Sequence, residues 1–220
     1  MYLEKILREK SMLRTIKIIF NATIIVLAFI GFNAIGGQKY VEALKDGISS
    51  FIAQHRADTA SKIGDFSKMN EEFIIDNTLS LAGYKAVIAE HKASGQKMVI
   101  LDTGKKPLLT QEDLKSQNID KKLMDLSEKI KYRGIKVQEI TVTNRGNMEL
   151  YGQNVPYAKF EAHITRAPIS DISGAIATVR TSDGSEKLAL SLSEKKKYSQ
   201  LITNEFYKGV NEGAGVNKKG

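Results

Sequence analysis

Hydrophobic residues are grouped along this chain in two ways, and the first is a single apolar run near the N-terminus. The run spans residues 18–35 and contains no charged side chain. A helix rises about 1.5 Å per residue, so the run covers roughly 27 Å of a bilayer core about 30 Å thick. Lys17 and Lys39 flank the run and can reach the headgroups. The pattern predicts a transmembrane helix within residues 18–37.

The basic residues around this run predict its orientation. Positive charge concentrates on the cytoplasmic side of membrane segments. More basic residues precede the run than closely follow it, so residues 1–17 are expected to form a cytoplasmic leader and the rest of the chain to lie outside the cytoplasm. The preceding residues are Lys5, Arg8, Lys10, Arg14 and Lys17, and the following ones are Lys39 and Lys45.

A cleaved signal peptide is the alternative interpretation of the same segment. Ala34 and Gly36 are small residues at the two positions that a signal peptidase reads. Glu4 and Glu9 in the leader, and an apolar run longer than the usual signal core of about 7–15 residues, favour an uncleaved anchor instead. A bacterial lipoprotein is excluded, because its lipidation needs a cysteine after the apolar run and the chain contains none.

The second pattern is periodic and begins directly after Gly37. Apolar residues at helical spacing predict an amphipathic stalk helix over residues 38–58, which would pack against the folded domain. Residues 59–210 are expected to form that domain, and residues 211–220 a disordered tail with nothing to bury. The apolar positions of the stalk are Tyr40, Val41, Leu44, Ile48, Phe51 and Ile52.

Within the domain, the first periodic signals predict a strand pair and a helix. Residues 81–90 and 96–101 are rich in apolar and β-branched residues, and the segment between them has the glycine of a hairpin loop. Residues 73–75 form a short apolar stretch, interpreted as buried. Thr110 and Asp113 resemble a capping box, which predicts one helix that ends near Gly134.

From Ile135 the hydrophobic period changes to two, which predicts a series of strands. Residues 144–147 and 152–154 carry turn signals. The clearest hairpin joins two apolar strands through Asp183 and Gly184, because this dipeptide supports the positive φ of a tight turn. Ser193 is then expected to cap a last helix. The inner face of that helix is predicted to be Tyr198, Leu201, Ile202 and Phe206.

This order of elements predicts an α+β domain. Strands that are adjacent in sequence and joined by short turns favour an antiparallel sheet, here of about five or six strands, with helices packed on one face. In outline this arrangement is similar to anchored cystatin-like or nuclear-transport-factor-like domains, including the bitopic assembly factors of type IV secretion. The similarity is one of architecture, so it implies a cone-shaped helix-and-sheet domain and assigns no functional residue.

Composition narrows the possible functions. The absence of cysteine excludes a disulfide, a zinc–thiolate site and a thiol nucleophile. The formal net charge is +8, but lysines alternate with acids nearly everywhere and five basic residues belong to the leader. The charge is therefore interpreted as a solvated surface plus an orientation signal, and no nucleic acid partner is expected. No cofactor motif is found.

Three residues are the candidates for catalysis. Asp102 ends an apolar strand in an Asp-Thr-Gly turn that resembles the catalytic turn of aspartic proteases, but lysines follow it and no second copy exists. Glu161 and His163 lie on one face of a strand, as a solvated row or as one wall of a polar cleft. No two histidines have the spacing of metal ligands, so no metal site is predicted.

The candidate binding residues are three aromatic side chains around a proline. Tyr151, Tyr157 and Phe160 cluster near Pro156, and such a group forms either a ligand wall or part of the core.

Two functional hypotheses follow. The first is a single-pass, membrane-anchored binding or assembly module of the bacterial cell envelope, without enzymatic activity, whose partner is an envelope protein or a wall polymer. The second is an exported hydrolase that uses Asp102 with Glu161 or His163, or a secreted protein if the leader is cleaved. Convergence of those three side chains in one pocket would favour the hydrolase.

Overall fold

The computed structural model describes residues 59–81, 84–105, 107–128, 136–165 and 170–213. Within these ranges, no helix is both long and apolar enough to cross a membrane. The predicted leader, anchor and stalk lie outside the described residues.

Among the described residues the domain is α+β, and its centre is one antiparallel sheet of seven strands. Every neighbouring pair is antiparallel, and the strand order is β1-β2-β3-β7-β6-β5-β4. The sheet is therefore larger than the five or six strands expected. The strands are β1 Phe73–Leu81, β2 Tyr84–His91, β3 Lys97–Gly104, β4 Lys136–Leu150, β5 Gln153–Thr165, β6 Asp171–Arg180 and β7 Glu186–Glu194.

The additional strand is β1, which the sequence indicates only as a short buried stretch. Phe73 is buried as expected, but Ile74 and Ile75 are exposed. A bulge at Asp76 shifts the register between Ile75 and Asn77, so the alternation of apolar and polar residues changes phase within the strand. A pattern search with a strict period of two cannot follow such a strand.

The predicted turn at residues 144–147 is wrong, because β4 continues through it. Bulges between Val137 and Glu139 and between Val142 and Asn144 absorb the irregularity without ending the strand. Gly146 pairs with Tyr157, and a Cβ at position 146 would lie 2.9 Å from the tyrosine ring. The glycine is thus used for close packing rather than for a turn.

The predicted helix after Thr110 begins as expected and then divides in two. The Thr110 side chain accepts from the Asp113 backbone N–H, and the Asp113 carboxylate accepts from the Thr110 N–H, so the capping box is confirmed. Ser116 has an extended conformation that ends the first helix. Besides a helical segment at residues 59–63, the helices of the described residues are α1 Gln111–Lys115, α2 Ile119–Glu128 and, near the C-terminus, α3 Gln200–Lys208.

The last helix begins later than predicted. Strand β7 continues through Ser193 to Glu194, so Ser199 is the residue whose side chain accepts from the Ile202 N–H and caps α3. The buried side chains of α3 include Phe206 and Tyr207, whereas Leu201, predicted to be on the inner face, is 80% exposed. Ile202 and Phe206 pack on face B as predicted, and the error at Leu201 comes from the period, since Tyr207 completes the inner face instead.

Helices pack on both faces of the sheet, and the expectation of one covered face is wrong. Face A is the side against which α1 and α2 pack, and face B is the side against which α3 packs. Both faces need cover because the central strands are apolar on both sides. Face A is formed by Ile88, Val99, Leu101, Phe160, Ile164, Ile176 and Leu190, and face B by Val87, Met98, Ile100, Tyr157, Val179 and Ala189.

The ordered chain extends beyond residue 210, where the sequence predicts a tail. Asn211 and Asp65 exchange backbone hydrogen bonds of 3.0 and 2.8 Å. Glu212 accepts from the Ser182 backbone N–H and hydroxyl. The two ends of the described domain are therefore joined beside the β6–β7 hairpin. Residues 214–220 lie outside the described residues.

Candidate functional site

Asp102 lies in a buried ion pair rather than in an open catalytic turn. Its Oδ2 atom is 2.8 Å from the Nζ atom of Lys187, whose side chain is 2% exposed. The two residues face each other across β3 and β7. A second oxygen of Asp102 accepts from the Gly104 backbone N–H at 2.9 Å. The carboxylate is thus engaged by Lys187 and by the Gly104 N–H, and it is directed into the protein.

The three catalytic candidates do not converge. Asp102 lies in the row of the sheet that contains Val179, whereas Glu161 lies in the row that contains Ser173. These two positions of β6 are separated by roughly 20 Å at about 3.3 Å per residue. Asp102 therefore belongs to the opposite end of face B from Glu161 and His163, and one substrate bond cannot contact both.

Glu161 and His163 line a polar cleft at the open end of face B. The cleft has a volume of about 220 Å³. His163 Nδ1 lies 2.9 Å from Asp171 Oδ1, and Lys195 Nζ lies 2.6 Å from Glu161 Oε2. The sequence left open whether this row is solvated or forms a cleft, and both descriptions apply: the row lies in a shallow cleft, and the side chains of the two ion pairs are 33–61% exposed. Its lining residues are Glu139, Thr141, Glu161, Ala162, His163, Asp171 and Lys195.

The charges in the cleft are paired and remain close to solvent. A hydrogen bond from His163 holds the pKa of Asp171 below its ordinary value of 3.8. Hydrogen bonding and attraction to Glu161 raise the pKa of Lys195 above 10.5. Both shifts favour the charged forms near neutral pH, so the cleft offers fixed charges and hydrogen-bonding groups to a polar ligand.

These side chains provide neither a metal site nor an activated nucleophile. Among the described residues, no group of three or more His, Asp or Glu side chains is arranged to hold a metal ion. The Thr141 hydroxyl contacts Glu139 at 3.3 Å, and His163 is directed to Asp171. Nucleophilic catalysis requires a hydroxyl bonded to the base, and the partner of the His163 ring is the Asp171 carboxylate instead.

Of the other two histidines, one has a structural role and the other lies outside the described residues. His91 is buried at the end of β2, where Nδ1 lies 2.9 Å from the Ser94 hydroxyl and Nε2 lies 3.4 Å from Glu72. Its ring packs against Phe73 with centroids 5.2 Å apart. His55 lies outside the described residues.

The three aromatic binding candidates do not form one wall. Phe160 is fully buried on face A, whereas Tyr151 and Tyr157 are buried on face B. Neighbouring residues of a strand point to opposite faces, so the proximity of these residues in sequence does not bring their rings together. The Tyr151 hydroxyl donates to the Ile63 carbonyl at 2.7 Å, and burial raises the pKa of this phenol far above its ordinary value. These rings belong to the core.

Sequence analysis missed the buried lysines. Lys187 pairs with Asp102, and Lys97 pairs with Asp76 at 3.2 Å and with Glu90. A lysine within an apolar strand is ordinarily interpreted as solvent-facing, and only the opposed carboxylate on the neighbouring strand distinguishes the buried case. That pairing depends on the register of β3 with β7 and of β2 with β3, which one sequence does not provide.

The hairpin at Asp183 and Gly184 was predicted correctly, and its hydrogen bonds explain the strongly lowered pKa of Asp183. Partial burial raises the pKa of Asp183, but hydrogen bonds from Ser185 and Thr181 outweigh it and lower the pKa to about 2. Gly184 has φ +77°, as the turn requires. The Asp183 carboxylate therefore organises the turn and does not act as an exposed acid.

The contact between His163 and Asp171 allows a testable prediction about the pKa of Asp171. We expect His163→Ala to raise the pKa of Asp171 towards 3.8, because the hydrogen bond from the ring is the largest cause of the shift. In the native chain, this pair stabilises the fold above pH 3.8 and loses that contribution as the pH falls through the lowered pKa. Carboxyl ¹³C NMR titration measures the change.

Asp183 is the internal control for this titration. Its pKa of about 2 depends on Ser185 and Thr181, so His163→Ala should leave it unchanged. An unchanged Asp171 pKa in the variant would show that the pair does not form in solution.

Comparison with protein-family models finds no match to this sequence, and comparison with curated proteins finds no significant similarity either.

Proposed function

We propose that this chain is a single-pass, membrane-anchored protein of the bacterial cell envelope, whose extracytoplasmic α+β domain binds a partner and catalyses no reaction. The anchor is the apolar run at residues 18–35, with the N-terminus in the cytoplasm. The partner class is an envelope protein or a wall polymer.

The observation that supports a binding role is that the candidate catalytic side chains, Asp102, Glu161 and His163, do not meet in one site. Asp102 forms an ion pair with Lys187. It lies roughly 20 Å along the sheet from Glu161. Both faces of the sheet centre are filled with apolar side chains. This arrangement favours a rigid scaffold that presents surfaces, and the polar cleft around His163 is one surface on which a hydroxyl-rich or charged ligand would find partners.

An exported hydrolase remains the alternative function, and no observation favours it. It requires a carboxylate pair or a histidine-activated nucleophile at one site. Glu161 and His163 are near each other, but each is paired with another residue, Lys195 and Asp171. A secreted, leader-free form is the alternative to anchoring.

The anchor is tested by placing charge in the centre of the apolar run. We expect the native chain to stay with membranes after alkaline carbonate extraction. The double variant Ile25→Lys/Leu27→Lys should move to the soluble fraction, because each central lysine costs about 2.5–3.5 kcal/mol in a membrane helix. Quantitative immunoblotting of the two fractions measures the shift.

Ser49→Lys/Ser50→Lys is the matched control, because it adds the same charge to polar positions outside the run. This control should remain in the membrane fraction. The intact mass of the native protein separates anchoring from cleavage: a chain that begins at Met1 supports the anchor. A chain that begins at Gly37 and is found in the soluble fraction would refute it.

A further inference from the structure

The polar cleft on face B combines open space with hydrogen-bonding groups. Its volume of about 220 Å³ is below the roughly 300–1,000 Å³ of pockets that hold drug-sized ligands, so it has room for one small unit. Four separate segments of the chain meet there, and each contributes at least one polar side chain. These are Glu139 and Thr141 of β4, Glu161 and His163 of β5, Asp171 of β6, and Lys195 directly after β7.

The lining of the cleft carries more acids than bases. Glu139, Glu161 and Asp171 face one lysine and one histidine. The lining is therefore negative near neutral pH, whether or not the histidine is protonated. A concave surface with one sign of charge concentrates ligands of the opposite sign, so the cleft favours a cationic group over an anionic one.

Glu139 is the acid in the cleft that a ligand cation can approach. The two bases are already paired, because Lys195 Nζ lies 2.6 Å from Glu161 Oε2 and His163 Nδ1 lies 2.9 Å from Asp171 Oδ1. Among the described residues, the partner of the Glu139 carboxylate is the Thr141 hydroxyl, which donates to it at 3.3 Å. An ammonium group placed beside Glu139 would gain a charge-assisted hydrogen bond without breaking either ion pair.

The rest of the lining suits hydroxyl groups rather than an alkyl chain. The Thr141 hydroxyl and the His163 ring both have donor and acceptor capacity, and the carboxylates add further acceptors. Among the described lining residues, Ala162 is the one that is apolar. The stem of a lysine side chain would find little to contact here, whereas a sugar ring brings several hydroxyls for these partners.

The open shape of the cleft favours one unit of a longer chain. The side chains of the two ion pairs are 33–61% exposed, so the cleft contacts one side of a ligand and leaves the other side in solvent. A polymer can therefore enter and leave without steric conflict. A single open site of this kind binds weakly, and a polymer with repeated units compensates through multivalency.

We propose that this cleft binds an amino sugar, a sugar ring that carries a free ammonium group, as a unit of a wall polymer. The ammonium group lies beside Glu139, and the ring hydroxyls contact Thr141, Glu161 and His163. The inference rests on the binding role proposed above, for which it names the ligand class. It is independent of the anchor.

The test compares three small probes on the full chain in a polyoxyethylene detergent, since detergents with sugar headgroups would compete. D-Glucosamine carries the ammonium group and the hydroxyls, D-glucose carries the hydroxyls alone, and N-acetyl-lysine methylamide carries the ammonium group alone. Carbon-13 labelled methyl groups of Ala162 and Thr141 report binding by NMR, because both residues line the cleft. We expect glucosamine to shift both signals and to bind at least about fivefold more tightly than either other probe.

Removing the Glu139 charge should remove the preference for the amino sugar. We expect Glu139→Gln to weaken glucosamine binding at least about fivefold and to leave glucose binding unchanged, because an amide still accepts from Thr141 but has no charge. Glu149→Gln is the matched control. Glu149 is exposed on the same strand, ten positions and roughly 33 Å away, so this variant should bind both sugars like the native chain. Both variants should keep the circular dichroism spectrum of the native chain, since both positions are exposed.

Each other outcome overturns a defined part of the inference. Unshifted signals with glucosamine, or equal binding of glucosamine and glucose, show that the cleft is not an amino-sugar site. A lysine probe that binds as tightly as glucosamine assigns the cleft to a cationic side chain of a protein partner instead. Equal binding by native chain and Glu139→Gln refutes the role of Glu139.

Alkaline carbonate extraction reports on the anchor separately. A chain that stays in the membrane fraction but does not bind glucosamine refutes this inference and leaves the proposed anchoring intact. A chain that is released from membranes but binds glucosamine refutes the anchor alone. The two proposals therefore fail in distinguishable ways.

Discussion

Replacing Lys187 with methionine is expected to lower the free energy of unfolding by about 3 kcal/mol. Methionine keeps most of the length and apolar volume of the side chain, so the loss reports on the charge. The change leaves Asp102 without the cation 2.8 Å away, in a site where 14% of its side chain is exposed. Breaking a buried pair costs about 3–5 kcal/mol, and the residual hydration of Asp102 favours the lower end.

Two controls separate the pair from general damage to β7. Arg180→Met breaks an ion pair with Glu186, the residue before Lys187 on β7, but the Arg180 side chain is 69% exposed, so a loss below about 1 kcal/mol is expected. The double variant Lys187→Met/Asp102→Leu removes both charges and should recover most of the stability. Urea unfolding followed by far-ultraviolet circular dichroism measures all three variants, since the chain has no tryptophan.

Equal losses for Lys187→Met and Arg180→Met would show that the Lys187 charge is not buried. A double variant less stable than Lys187→Met alone would show that the two side chains contribute separately.

The elements that the sequence predicts well are those determined by neighbouring residues. The β6–β7 hairpin depends on Asp183 and Gly184, and the start of α1 depends on Thr110 and Asp113. In each case the signal and its hydrogen bonds lie within a few residues of each other. Local chemistry is sufficient for such elements, so one sequence is enough to predict them.

The elements that the sequence predicts poorly depend on contacts with residues of other strands and loops. Gly146 stays in β4 because Tyr157 of β5 packs against it, although Gly and Asn are strong turn formers. Helix α3 covers face B because Gln96, in the loop before β3, accepts from the Ser199 N–H and donates to Thr203. Contacts between different strands, or between Gln96 and residues 103 and 107 positions away, leave no periodic signal in the sequence.

The candidate site follows the same rule. The alternation of residues 157–165 correctly places Glu161 and His163 on one face of a strand. Their partners Asp171 and Lys195 come from β6 and from the segment after β7, and only the register of the sheet brings them close. The ion pair of Asp102 could not be predicted, because Lys187 lies opposite it in the sheet and not beside it in the sequence.

The second large effect is expected at the packing of Phe160 against Gly174. These residues are directly opposite each other on β5 and β6, and a Cβ at position 174 would lie 2.7 Å from the ring and 2.5 Å from the Ser191 carbonyl oxygen. Because the ring occupies the space above the glycine, Phe160→Ala should cost about 3–5 kcal/mol through the cavity that it leaves. Gly174→Ala should cost about 1–3 kcal/mol through overpacking.

A double-mutant cycle tests whether the two residues share one space. Phe160→Leu shortens the ring and relieves part of the clash, so Phe160→Leu/Gly174→Ala should lose less stability than the sum of the single variants, by at least about 0.5 kcal/mol. The relief is partial because the Ser191 carbonyl remains in place. Phe160→Leu/Val179→Ala is the control, since Val179 is buried on face B and Phe160 on face A. Its two losses should add, and equal additivity in both pairs would show that Gly174 is not required by the Phe160 ring.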